Sequence, residues 1–319
     1  MRQLIARLCA VAIGLAAASA LAFPDKSVTL VVSDQAGGPG DIVARALAEH
    51  MSGTLKQPVL VENRPGAYGT LGLRAVAQAR PDGHTLGIVF MPHTVSQTLF
   101  KGTPYKLRSD FTPLAKVADL FNVLIVRNDL PARSAQELAA LARQRAGGLN
   151  YGSASPGSPA HLSAELFKRQ AGVDALHVPF RGPVDALSNL IGGRVDFMFL
   201  SLPVAMPMVK ADKVRALAVT SPRPAAALPA LPTMQASGYP DFVVLDWMGV
   251  VGPAGLPPAV AQTLGDALRQ AAGSPTFRDK LATLGMEPGF APGPELGALI
   301  DSEVGKWERF IRDVGITIE

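Results

Sequence analysis

The stretch "VTLVVSDQAGGPGD", from Val28 to Asp41, decides the fold class. An apolar run of strand character leads into a glycine-rich loop, and the segment "DIVARALAEH" that follows has the periodicity of an amphipathic helix. A strand, a glycine loop and a helix start in this order usually hold an anion on backbone N–H groups. The stretch therefore predicts an α/β layer and an anion that the protein either binds or transforms.

The same alternation continues along the chain. Apolar runs of strand type, such as "PVLVE", "HTLGIVF", "FNVLIVR" and "VDFMFL", are separated by amphipathic segments of helical type, and no internal repeat is evident. This pattern predicts an α/β fold with mainly parallel sheets. Parallel strands place ligands at their carboxyl ends, so the loops that follow the strands are the candidate sites.

Length and composition restrict the class of protein. The 319 residues suffice for two domains, and 48% of them are hydrophobic, which allows sizeable cores. Only 18% are charged, and long runs of one charge are missing from the sequence. These values exclude a nucleic-acid-binding protein and a disordered tail.

The first 22 residues, "MRQLIARLCAVAIGLAAASALA", have the features of a secretory signal peptide. Arg2 and Arg7 precede a short apolar segment, and an A-x-A cleavage site ends at Ala22, with an alternative site two residues earlier. A membrane anchor is the other interpretation, but a spanning helix needs roughly 20 apolar residues. Cleavage would remove two of the 30 basic residues, none of the 26 acidic ones and the single cysteine, Cys9, leaving a net charge of +2 and no disulfide.

The glycine loop "GGPGD" matches neither common phosphate-binding motif. A P-loop needs lysine after its last glycine, and here Asp41 follows Gly40. A dinucleotide fingerprint needs a third glycine, which is missing after Gly38 and Gly40. Two interpretations stay open: a turn that lets a ligand approach the backbone, and a tight strand-to-helix turn without a ligand.

A second loop, "NYGSASPGSPAHLSAELF", offers hydroxyl groups at the start of a helix. Ser158 is predicted to be the N-cap and Pro159 the first helical residue. With Ser153 and Ser155, the free N–H groups of the first turn would form a pocket for a carboxylate. The pair Ser155 and Gly157 is half of a hydrolase nucleophile elbow, but that motif needs glycine at position 153, so a serine hydrolase is disfavoured.

A third loop, "VPFRGPVDAL", again opens a helix after a strand. Arg181, beside Gly182, either contacts an anion or lies solvated at the rim. His161 and His177 lack the spacing of a metal site and are interpreted as hydrogen-bonded structural residues. We expect no metal and no cofactor.

The motifs together resemble one family, the Bug-type receptors of tripartite tricarboxylate transporters. The segments that carry the resemblance occur in family order and include "GGPGDIVARALAEHM", "QPVLVENRPGAYGTLG", "ARPDGHTL", "LNYGSASPGSPAHLSAELFK" and "DWMGVVGPAGLP". The resemblance implies a two-lobed periplasmic binding protein of type II with the ligand cleft between the lobes. Lobe one would comprise residues 23–122 and 246–319, and lobe two residues 123–245, after a signal peptide at 1–22.

The resemblance also implies a function. The protein would be a monomeric periplasmic receptor and not an enzyme, capturing a small organic acid without contacting nucleic acid. It would deliver the acid to the large and small permease subunits of the membrane. A ligand-sensing component that signals to a membrane sensor is the alternative, because the same fold serves both roles.

Departures from the family pattern concern the ligand. Ser33 and Asp34 replace proline and an aromatic residue, Val89 to Pro92 replace small polar residues, and Leu200 and Ser201 replace an aspartate–asparagine pair. Loss of that aspartate predicts a carboxylate ligand without an α-ammonium group and with an apolar body. The predicted ligand-binding residues are Asp34, Gly37, Gly38, Met91, Ser153, Ser155, Gly157, Ser158, Arg181, Gly182, Leu200, Ser201 and Trp247.

Overall fold

The computed structural model describes residues 23–66, 69–100 and 102–317. The predicted signal peptide at 1–22 lies outside the described residues. The strands are β1 (Val28–Val32), β2 (Val59–Asn63), β3 (Thr85–Phe90), β4 (Phe111–Arg127), β5 (Leu149–Ser153), β6 (Ala175–Pro179), β7 (Phe197–Ser201), β8 (Val214–Val219), β9 (Leu245–Pro253) and β10 (Glu287–Pro292). The helices are α1 (Pro39–Leu55), α2 (Thr70–Ala77), α3 (Met91–Leu99), α4 (Ala135–Gln144), α5 (Pro159–Ala171), α6 (Pro183–Ile191), α7 (Leu202–Lys210), α8 (Pro258–Gly273), α9 (Pro275–Thr283) and α10 (Gly293–Val314).

The long strand β4 joins two halves of the sheet. Its first part, from Phe111 to Phe121, pairs antiparallel with β9, and β10 also pairs with this part. Its last part, from Asn122 onwards, pairs antiparallel with β7 and β8. The partners of β4 therefore change between Phe121 and Asn122.

Each half contains a parallel set of three strands. In the first half β1 pairs with β2 and β3, and in the second half β5 pairs with β6 and β7, all in parallel. The predicted α/β fold with parallel sets of strands is confirmed. The antiparallel connections through β4 and β9 are a feature that the alternation of strands and helices did not predict.

Apolar residues on these strands form three core clusters. One packs β1 against α1, α8 and α9, and another packs the last part of β4 against β7, α6 and α7. The third contains buried residues of both halves, among them Val89 on β3 and Tyr151 on β5. Burial of these faces fixes the strands, so the loops at their carboxyl ends have fixed starting points.

Candidate functional site

Two loops at the carboxyl ends of parallel strands carry the candidate ligand-binding groups. The glycine loop, residues 33–41, follows β1 and leads into α1. The serine loop, residues 153–158, follows β5 and leads into α5. The predicted cap of α5 is confirmed, because Ser158 Oγ accepts a hydrogen bond from the His161 N–H at 3.3 Å and Pro159 is the first helical residue.

The N–H groups of the glycine loop are occupied within the loop. Gly37 donates to Asp41 Oδ2 at 2.9 Å, Gly38 donates to the Gln35 carbonyl at 3.0 Å, and Gly40 donates to Asp34 Oδ2 at 2.9 Å. A carboxylate of the protein itself thus lies at the start of α1, where a helix attracts an anion. The predicted contact of a ligand carboxylate with Gly37 and Gly38 would require displacement of these bonds.

Asp41 is the better stabilised of the two loop carboxylates. Burial opposes its ionisation, but hydrogen bonds from Arg45, Gly37 and Asn63 outweigh burial and lower the pKa of Asp41. The ionised Asp41 carboxylate therefore accepts the hydrogen bonds that hold the glycine loop in place.

Asp34 lies close enough to Asp246 to affect its ionisation. Burial and the negative charge of Asp34 raise the pKa of Asp246 to about 7. Burial also raises the pKa of Asp34, although the hydrogen bond from Gly40 acts in the opposite direction. Among the described residues, neither carboxylate forms an ion pair, and Asp246 Oδ1 is buried without a hydrogen-bond partner. Asp246 was not predicted from the sequence as a site residue, although its neighbour on β9, Trp247, was predicted as one.

The segment after β3 packs tightly behind the glycine loop. A Cβ atom on Gly40 would lie 2.5 Å from Phe90 Cζ, so glycine is required there for the ring to fit. The Phe90 N–H donates to His93 Nδ1 at 2.9 Å, and burial lowers the pKa of His93 to about 4. Met91 is fully buried in the core, so its predicted contact with the ligand is not supported by its position.

The serine loop rests on two histidines. The hydroxyl of the buried Ser153 lies 2.7 Å from His177 Nε2, and the Gly157 N–H donates to His161 Nδ1 at 3.0 Å. Gly157 has a φ of 76°, in the left-handed region that favours glycine. Ser155 is half-buried, and its hydroxyl makes no hydrogen bond to the described residues.

A pocket of about 240 Å³ lies between the serine loop and α3. It is therefore lined by both halves of the molecule, and it includes three of the predicted ligand-binding residues. The lining residues are Pro92, Val95, Ser96, Leu99, Phe100, Ser155, Pro156, Gly157, Ser158 and Pro159. Its walls combine the serine hydroxyls with apolar side chains.

Five further predicted site residues lie outside this pocket. Arg181 is exposed, and Gly182 precedes α6 as its N-cap. Leu200 is 2% exposed and packs in the core of the second half, while Trp247 is 1% exposed and packs in the shared core. Contacts of Leu200 and Trp247 with a ligand are therefore not supported by their positions. Ser201 is half-buried at the end of β7.

The fold and its loops define a solute-binding protein, and comparison with known proteins gives the family. The model of the tripartite tricarboxylate transporter family receptor matches residues 43–316. The chain therefore belongs to this family of receptors, which bind solutes and are not enzymes.

Relatives and solved structures agree with this assignment. The chain is 37% identical over 91% of its length to the UPF0065 protein in the tcbD-tcbE intergenic region of Pseudomonas sp. (strain P51), covering 87% of that protein. It is 32% identical to BugT of Bordetella pertussis, over 94% of this chain and 93% of that one. The structure of the periplasmic binding protein BugD has a TM-score of 0.75 at 33% identity, with 93% and 100% of the two chains covered.

Two solved relatives hold carboxylates. An R. palustris protein with adipate has a TM-score of 0.77 at 33% identity, covering 92% of this chain and 99% of that one. MatC from Rhodopseudomonas palustris, with bound malate, has a TM-score of 0.72 at 34% identity, covering 91% of this chain and all of that one. Within the described residues, no helix is both long and apolar enough to cross a membrane.

Proposed function

We propose that this protein is a periplasmic receptor that captures a small organic carboxylate between its two halves and delivers it to a tripartite tricarboxylate-type permease. The pocket between α3 and the serine loop carries the proposal, because both halves of the molecule contribute to it. Adipate and malate in related structures support a dicarboxylate as the class of ligand.

The two halves act as lobes in this proposal. Lobe one comprises residues 23–122 and 246–319, and lobe two residues 123–245. The change of β4 partners after Phe121 supports the first boundary. The buried Thr220 supports both boundaries. Its hydroxyl accepts a hydrogen bond from the Asn122 N–H at 3.0 Å and donates one to the Val244 carbonyl at 2.7 Å. Thr220 thus joins the two segments in which the chain passes from one proposed lobe to the other.

The serine loop supplies the carboxylate contacts in this proposal. The Ser155 hydroxyl is free, and the N–H of Ala160 in the first turn of α5 makes no hydrogen bond within the described residues. A helix start with an unused N–H group favours a bound anion. The glycine loop is the weaker candidate, because its N–H groups already hold Asp34 and Asp41.

The rest of the ligand would contact the apolar wall of the pocket. Val95, Leu99 and Phe100 line it from lobe one, so we propose these residues as the apolar contacts in place of Met91 and Leu200. A chain of several methylene groups, as in a longer dicarboxylate, would gain about 0.8 kcal/mol for each group that it buries.

Thermal unfolding with a panel of malate, succinate and adipate tests binding. A ligand at 100 times its dissociation constant should stabilise the protein by about 2.7 kcal/mol. Ser155→Ala should weaken this stabilisation, whereas Ser188→Ala, which removes an exposed hydroxyl on α6, should leave it unchanged. Equal stabilisation of both variants and the wild type would place the carboxylate elsewhere.

Delivery to a permease and export are tested in cells. Uptake of the bound acid should depend on the receptor gene and return with the wild-type protein but not with a variant that fails to bind. Fractionation of cells should locate the full-length protein in the periplasm, and a variant without residues 1–22 in the cytoplasm. Binding without any effect on uptake would contradict the transport role.

A further inference from the structure

We propose that His161 and His177 are positioning residues that hold the serine loop in its ligand-binding shape, and that His161 does so only while its imidazole is neutral. The inference rests on the proposed function, because it assigns a role to groups behind the proposed carboxylate site. Neither histidine lines the pocket between α3 and the serine loop.

The two histidines support the serine loop at both of its ends. His177 on β6 contacts the Ser153 hydroxyl at 2.7 Å, where the loop leaves β5. His161 on α5 accepts from the Gly157 N–H at 3.0 Å, just before the helix begins. Their rings stack with centroids 4.2 Å apart, so a movement of one ring affects the other.

The hydrogen bond to Gly157 sets the protonation state of His161. A neutral imidazole has one acceptor nitrogen, and here Nδ1 must be that acceptor because Gly157 donates to it. Protonation of Nδ1 would place two N–H groups against each other and break the bond. The loop would then lose its support at the residue that has the left-handed φ.

Burial outweighs the one nearby charge that favours an imidazolium, the carboxylate of Glu165. Tyr151 from β5 stacks on His177 with ring centroids 4.8 Å apart, and its hydroxyl donates to Glu165 on α5. Glu165 also binds Lys168 at 2.8 Å, and the positive charge of Lys168 opposes its effect on the histidines. From β7, the apolar ring of Phe197 packs on Tyr151. Burial lowers the pKa of both histidines, to about 4 for His161.

Two variants of His161 separate a positioning role from a merely structural one. His161→Asn offers an oxygen near the place of Nδ1 and does not titrate, whereas His161→Leu has no acceptor. Hydrogen–deuterium exchange at residues 153–158 of the ligand-free protein at pH 7 should be fast in His161→Leu and close to wild type in His161→Asn. Affinity for the tightest-binding acid of the malate, succinate and adipate panel should fall about tenfold in His161→Leu and much less in His161→Asn.

The pH profile completes the test. Wild-type affinity should fall as the pH is lowered from 6 to 4, and the affinity of His161→Asn should fall less over the same range. Wild-type exchange and affinity in a folded His161→Leu protein would overturn the inference, and so would equal defects in both variants. If exchange follows the prediction while the wild type binds no acid of the panel, the positioning role stands and the proposed ligand class is wrong.

Discussion

At the scale of single residues, carboxylates of the protein have taken positions where the sequence predicted a bound anion. Asp34 fills the start of α1 by accepting from Gly40, and its charge also acts on Asp246. Neither aspartate has a basic partner among the described residues. In the proposed function, the ligand carboxylate therefore binds at the serine loop and not beside these two carboxyl groups.

Asp246→Asn should change how stability depends on pH. The folded-state pKa of Asp246, about 7, is above its usual value of 3.8, so the native state favours the protonated form. The contribution of protonated Asp246 to the free energy of unfolding is fully present below about pH 4 and is lost as the pH rises through 7. Urea denaturation should show that Asp246→Asn removes a decline on the order of 3 kcal/mol between these pH values.

The control for this variant is Asp174→Asn, at an exposed position on the surface. Its free energy of unfolding should follow the wild-type pH dependence. Identical pH profiles of the free energy of unfolding for Asp246→Asn and the wild type would contradict this prediction, because they would show that folding does not raise the pKa of the Asp246 carboxyl.

Replacement of Gly157 by valine should abolish ligand binding. Its φ of 76° is strained for valine by about 1–3 kcal/mol, and Gly157 lines the pocket, so a change of backbone there should disturb the site. Gly147, which is exposed and has a φ of 82°, provides a matched control with the same backbone strain. Calorimetry should show a similar loss of stability in both variants and a loss of affinity in Gly157→Val alone. A folded Gly157→Val protein with wild-type affinity would exclude the serine loop as the site.

At the scale of elements, the connections between strands depend on a few buried polar residues. Asp196, just before β7, accepts from Arg127 on β4 at 3.2 Å, from Arg145 at 2.9 Å and from the Asn150 N–H on β5 at 2.9 Å. One carboxylate thus ties three elements of the second half together.

Asp196→Ala should destabilise the protein by about 3 kcal/mol, because it leaves the half-buried Arg127 Nε–H and Asn150 N–H without their acceptor. Asp129→Ala is the matched control, since Asp129 pairs with the same Arg127 but its side chain is 74% exposed. Its effect should lie within about 1 kcal/mol of zero. Equal losses in urea denaturation would contradict the assignment of Asp196 as the link.

The elements were predictable from the sequence where local signals act alone. Ser158 and Pro159 marked the start of α5, and the alternation of strands and helices gave the α/β class. The antiparallel pairing of β4 with β9 was not predictable, because residues more than a hundred positions apart determine it. The ligand contact of Leu200 stays a prediction, and its burial fits its place at the end of a continuous apolar run, which is typical of a strand buried on both faces.

The candidate site was less predictable than the fold. Loop positions followed from the strand ends, and the structure brings Ser155, Gly157 and Ser158 together at one pocket, while their contact with a ligand stays a prediction. The internal bonds of Asp34 and Asp41 were not visible, because they depend on the directions of two short side chains. The interaction of Asp34 with Asp246 joins residues far apart in sequence and needs the folded chain.

At the scale of the whole molecule, residues of both halves line the pocket, so the proposed function requires closure of the two proposed lobes around the ligand. A ligand that contacts α3 and the serine loop together would favour the closed form, because only that form makes both sets of contacts. Small-angle X-ray scattering should show a smaller radius of gyration with the bound acid than without it. A constant radius despite binding would show that the ligand contacts one lobe or that the lobes are closed before it binds.

Native mass spectrometry of the freshly purified protein tests the central claim, capture of a small organic carboxylate without chemical change, most directly. The spectrum should show one small molecule bound per chain, and the molecule released on denaturation should be a carboxylic acid. Addition of that acid to ligand-free protein should restore the same complex, with the acid recovered unchanged. Release of a molecule without a carboxyl group, or recovery of the acid in altered form, would contradict the claim.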